Sequence, residues 1–131
     1  GTLALSAAAT SSGFNAMVGG AVNELLGPYG PKVLIGGLFL TAIILTEVLS
    51  NNAVAIILTP VALAIAKAAG IDERPMIMAV VFGASCCFAN PLGYQTNLLV
   101  FGPGSYRFKD FLKVGLPLDL LLAAVGILFV L

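Results

Sequence analysis

The chain has 131 residues, of which 60% are hydrophobic and only 9% charged. A soluble domain carries roughly 25% charged residues, so the composition excludes a water-soluble globule and indicates an integral membrane protein. Six basic residues balance six acidic ones and histidine is absent, which argues against a nucleic-acid partner and against a zinc or haem enzyme.

The first 27 residues are rich in small side chains, which let membrane helices approach closely. Asn15, Asn23 and Glu24 make the second half of this stretch more polar. The pattern predicts the end of a preceding helix and then an interfacial helix from roughly Gly13 to Leu26. Gly27-Pro28-Tyr29-Gly30-Pro31 is a breaker. The chain begins without Met, shows no signal-peptide pattern and ends at Leu131 inside an apolar run. Both ends read as edges of a piece of a longer chain.

Val33 to Val48 and Ala53 to Ala69 are apolar arms, the second with Pro60 at its middle as an expected kink. The first arm spans about 24 Å as a helix and the second is similar, short of the roughly 30 Å hydrocarbon core. Between them lies a polar island, Thr46-Glu47-Val48-Leu49-Ser50-Asn51-Asn52-Ala53, and Glu47 is the only formal charge between Lys32 and Lys67. Polar side chains at such depth are expensive and usually functional. Two short arms joined by a polar tip fit a re-entrant hairpin over residues 33–69. Two short full spans are the alternative.

Gly70 to Pro75 is a charged turn, and Met76 to Phe88 reads as an apolar helix with a flat face at Gly83-Ala84-Ser85. A second island, Asn90-Pro91-Leu92-Gly93-Tyr94-Gln95-Thr96-Asn97, interrupts the uncharged run from Pro75 to Phe101. One broken helix over 75–101 is predicted, with Thr96-Asn97 capping its resumed half. The loop Gly102 to Lys113 holds three basic residues and one acid, which places it on the cytoplasmic side. A last helix follows over 114–131, with Asp119 near its cytoplasmic end. Cys86 and Cys87 diverge by about 100° on a helix; they read as small core residues, with a thiol site for a soft ion as the alternative. No internal repeat or low-complexity tract is evident.

Two polar breaks in two hydrophobic segments point to a transporter site built from broken helices. Thr46, Ser50, Asn51 and Asn52 offer oxygens to a hard cation, and the end of the first arm adds partial negative charge. The second arm starts after Asn52, and its N-terminus offers amide N–H groups to an anion. Gly93 permits close backbone approach. Plain helix capping is the bland reading of the same residues. Glu47 has three readings: an anchor paired with the nearby Ser and Asn, a remote influence on a cation site, or a proton carrier.

At these residues the chain resembles the divalent anion/sodium symporter (DASS) family. Thr46-Glu47-x-x-Ser50-Asn51-Asn52-Ala53 is similar to the family's second Ser-Asn-Thr signature. Asn90 to Gly102, followed by Tyr106-Arg107-Phe108-Lys109-Asp110-Phe111, is similar to its second broken-helix loop and the linker to its last helix. The resemblance implies an all-α membrane protein with a re-entrant hairpin, a broken transmembrane helix and a final transmembrane helix, one half of an inverted-repeat transporter. It further implies sodium bound by Thr46, Leu49, Asn51 and Gly93, with Leu49 and Gly93 acting through carbonyls. Ser50, Asn51, Asn52, Tyr94 and Gln95 would meet the anion. Asn52 stands where dicarboxylate carriers usually have Thr, and Gly93-Tyr94-Gln95-Thr96 replaces their Ala-Thr-Pro-Pro type loop, which leaves sulfate or another small oxyanion open.

The expected function is sodium-coupled symport of a small anion by alternating access, with no covalent chemistry and no cofactor beyond sodium as coupling ion. The expected partners are the anion, sodium, the lipid bilayer and the N-terminal repeat of the same transporter, with a homodimer left open. The expected location is the plasma or bacterial inner membrane, crossed several times. A sodium/proton or arsenite-type exchanger and a non-transporting structural subunit are the rivals.

Overall fold

The computed structural model describes residues 2–130. Among them the order is α1 (Thr2–Ser11), α2 (Phe14–Leu26), a 3-10 turn (Gly27–Tyr29), α3 (Pro31–Thr46), α4 (Asn51–Ala69), α5 (Glu73–Ala84), α6 (Gln95–Phe101) and α7 (Phe108–Val130), with no strand. The local signals for these boundaries are concrete. Gly30 at φ 96° turns the chain into Pro31, which starts α3. Gly70 at φ 66° closes α4, and the Ile71 N–H donates to the Ala66 carbonyl at 3.0 Å, a Schellman closure. The Asp72 carboxylate then accepts from the Arg74 N–H at 3.0 Å and opens α5.

α4 lies at the centre, packed against α2 and α5; α3 packs on α5, and α7 reaches α3 and α5. The buried residues of α3 recur at helical spacing: Leu34, Leu38, Phe39, Ala42 and Thr46. They meet Val54, Leu58 and Ile65 of α4 and Met76, Ala79 and Val80 of α5 in one core. Glycine sets the closest approach. A Cβ at Gly83 of α5 would lie 2.6 Å from the Ala42 Cβ and 2.8 Å from the Phe39 carbonyl oxygen, so α3 and α5 meet at backbone distance.

Three boundaries differ from the sequence reading. α4 begins at Asn51 and runs for 19 residues, about 28 Å, because Ser50 caps it; the two arms are therefore unequal. Among the described residues, α4 and α7 are the helices long and apolar enough to cross a membrane, and α3 is shorter. α5 stops at Ala84, so the non-helical segment runs from Ser85 to Tyr94 and starts five residues before Asn90. The Phe88 and Ala89 amides find an acceptor outside the helix there, as described below. Finally, α7 takes in Phe108 to Lys113, which the reading left in a loop. The Asp110 carboxylate accepts from the Arg107 N–H at 2.8 Å while the Asp110 N–H donates to the Arg107 carbonyl at 2.9 Å, and this reciprocal pair fixes the helix start. Asp119 consequently sits near the middle of α7 rather than near an end. The α2 bounds match the expected helix, but its main partner is α4.

Candidate functional site

The tip between α3 and α4 and the break between α5 and α6 meet backbone to backbone. Thr46 is fully buried, and its hydroxyl donates to the Ala84 carbonyl at 2.9 Å, where α5 ends. A Cβ at Gly93 would lie 2.9 Å from the Thr46 carbonyl oxygen and would overlap the Cys87 sulfur. Only glycine fits, and the backbone of the second island rests against the Thr46 carbonyl of the first. The Asn90 side-chain amide donates to the Glu47 carbonyl at 2.6 Å, and its oxygen accepts from the Leu92 N–H at 2.9 Å. Asn97 donates from its amide to the carbonyls of Cys87 at 3.1 Å and Asn90 at 3.4 Å. Thr96-Asn97 thus does not cap α6, which begins at Gln95 after an extended Tyr94. The reason is that the carbonyls of the break need donors more than the amides of a seven-residue helix need acceptors.

The tip is partly occupied with its own capping. The Ser50 hydroxyl oxygen accepts from the Ala53 N–H at 3.3 Å, and the Asn51 side-chain oxygen accepts from the Asn52 N–H at 2.9 Å. Two amides that the sequence reading aimed at an anion are taken by these local bonds. The remaining donors include the Ser50 O–H and the side-chain amides of Asn51 and Asn52. Leu49 donates its N–H to Leu45 at 2.8 Å. Ser50, Leu49, Asn52, Tyr94 and Gln95 are exposed and Asn51 half-buried. Among the described residues, no hydrogen bond joins Ser50, Asn51 or Asn52 to Tyr94 or Gln95. The structure therefore brings Thr46 and Gly93 together directly and leaves the other expected residues exposed, except the half-buried Asn51.

Glu47 is an anchor, with partners other than those expected. Its Oε1 accepts from the Phe88 N–H at 3.1 Å and the Ala89 N–H at 3.3 Å, not from Ser or Asn side chains. Oε2 is shielded from solvent and has no hydrogen-bond partner among the described residues, and the Asp119 carboxyl lies beside Glu47. The sequence reading did not connect these two acids. The available signal was that each is a lone acid in a long apolar run, and buried ionisable groups at such depth pair with one another or with backbone. Cys86 and Cys87 are both buried, as small core residues would be.

A family model described as "Sodium:sulfate symporter transmembrane region" matches residues 1–131. Over 107 residues the chain is 37% identical to the uncharacterized transporter YfbS of Escherichia coli, covering 82% of this chain and 18% of that protein. It is 37% identical over 122 residues to an uncharacterized transporter of Synechocystis, covering 93% of this chain and 20% of the other. Sodium/sulfate cotransporter 1 of Chlamydomonas reinhardtii is 32% identical over 123 residues, covering 93% and 14%. The chain spans a fifth or less of the length of these three relatives. No solved structure matches it.

Proposed function

The chain belongs to the sodium:sulfate symporter family, the divalent anion/sodium symporters of its two motifs, and from that membership we propose that it is part of a secondary transporter moving a small anion together with sodium. The contact between Gly93 and the Thr46 carbonyl is the observation that carries the reading, because it joins the two polar islands at one point. Sodium is held by Thr46, Leu49, Asn51 and Gly93, with carbonyl oxygens supplied by Leu49 and Gly93; hard cations take oxygen ligands. The anion meets the Ser50 hydroxyl, the Asn51 and Asn52 amides, and Tyr94 and Gln95.

Sulfate is the first candidate anion. The family description and the Chlamydomonas relatives' names support it, and a compact oxyanion suits hydroxyl and amide donors without a charged partner. A dicarboxylate is the second candidate. Residues 33–69 form a re-entrant hairpin, 73–101 a broken helix and α7 the last helix of the second inverted repeat. They move against the rest of the protein in alternating access, in a cell membrane crossed several times. Binding and motion suffice, so no covalent chemistry is involved.

The test is the complete transporter reconstituted in liposomes, with charge movement recorded for sulfate, succinate, citrate and phosphate, with and without sodium. A sodium-dependent current with sulfate is expected. A current that follows pH and ignores sodium would replace this reading with proton exchange.

A further inference from the structure

Gly115 and Asp119 lie one turn apart on one face of α7, and both meet the unwound segment at Phe88 and Ala89. Gly115 is buried, and a Cβ there would overlap the Phe88 carbonyl group, so the α7 backbone rests directly on the break. One turn further, Asp119 is only 7% exposed. Both its oxygens are shielded from solvent without a close hydrogen-bond partner of regular geometry. They face the Glu47 carboxyl and the Phe88 and Ala89 amides, the same two amides that Glu47 Oε1 accepts. A buried carboxyl costs several kcal/mol unless its surroundings compensate it, and a helix that needed only packing would carry Leu here.

Backbone that has left a helix at membrane depth must find acceptors for its N–H groups. Glu47 from the tip supplies them through Oε1, and the buried Asp119 carboxyl of the last helix lies beside it. The segment so held is tied to the site at both ends: the Thr46 hydroxyl binds the Ala84 carbonyl before it, and the Asn90 amide binds the Glu47 carbonyl after it. Gly93 follows three residues later. A shift of Phe88 and Ala89 therefore displaces Gly93 relative to Thr46.

We propose that Gly115 and Asp119 are positioning residues for the transport site, clamping the break together with Glu47 so that Gly93 stays against Thr46. The identity of the ligands rests on the transport reading above; the clamp rests on the contact of Gly115 with Phe88, the Glu47 bonds to the break and the burial of Asp119.

The experiment compares Asp119→Leu, Asp119→Asn and Gly115→Ala in the complete transporter. Two readouts are taken: the half-saturating sodium and sulfate concentrations, corrected for protein in the membrane, and amide exchange across Ser85 to Tyr94. Asp119→Leu and Gly115→Ala raise both half-saturating concentrations about tenfold, the scale of losing an outer-shell partner, and speed exchange at Phe88 and Ala89. Asp119→Asn, which keeps the shape and can donate to Glu47, recovers most of that loss. Unchanged affinities and exchange in Asp119→Leu would overturn the proposal, as would an Asp119→Asn defect equal to that of Leu. If Asp119→Leu fails to reach the membrane, Gly115→Ala decides by the same two readouts. Absence of sodium-dependent sulfate uptake by the unaltered protein would contradict the transport reading alone, and exchange at the break would still decide the clamp.

Discussion

Asn51 and Glu47 stand four residues apart and are predicted to fail in different ways. The Asn51 oxygen already accepts the Asn52 N–H but keeps a second lone pair for sodium. Asn51→Ala removes it, and the half-saturating sodium concentration of the complete transporter should rise about tenfold; an unchanged sodium affinity would reject the assignment. Glu47→Ala strands the Phe88 and Ala89 amides, at about 1–3 kcal/mol for each orphaned group. Its melting temperature should fall, while Glu47→Gln, which keeps an acceptor oxygen, falls less; equal losses would mean that the oxygen does not matter. The sequence offered an anchor as one of three readings of Glu47, with the nearby Ser and Asn as its partners. It could not mark Phe88 and Ala89, since a backbone amide carries no residue signature and these lie 41 and 42 positions away.

At the scale of helices, most boundaries follow from short-range chemistry. Gly30-Pro31, Gly70 and Asp72 act within one turn, so their effects are legible in the sequence. Ser50 acts over the same short range, although the sequence reading began this arm after Asn52. Ser50→Ala removes the acceptor for the Ala53 N–H and should lower stability by about 1 kcal/mol, read as a shift in thermal unfolding; a loss near zero would show that the cap is not stabilising. The early end of α5 was not legible, because nothing in Cys86-Cys87-Phe88-Ala89 forbids a helix and the competing acceptor comes from another element. Helix packing is equally non-local. Gly83→Val should destabilise by about 1–3 kcal/mol through overpacking, since the added carbon meets Ala42 and the Phe39 carbonyl. Wild-type thermal stability in that variant would contradict the close contact of α3 and α5.

The molecule as a whole leaves large apolar side chains uncovered, among them Val48 at 80% and Leu128 at 80%. Their surroundings differ in kind. Val48 sits at the tip beside Leu49 and Ser50, whereas Leu128 lies on the outer part of α7. In the complete transporter without other reactive thiols, Val48→Cys should react with a water-soluble thiol reagent, and sodium plus sulfate should slow it. Leu128→Cys should react little in either condition. Ligand-independent labelling at Val48 would place the tip away from the site. The sequence by itself determined the class of protein: apolar composition, two polar islands and their residue types specify membrane helices interrupted at two points, because desolvation cost is a property of each side chain alone. The tertiary structure alone decided what the interruptions do to each other. It set Gly93 against Thr46, gave the Phe88 and Ala89 amides to Glu47, and brought Asp119 beside that carboxyl from the middle of the last helix. Those are contacts between groups far apart in the chain, fixed by how closely glycine lets backbones approach and by the need of every buried amide for an acceptor.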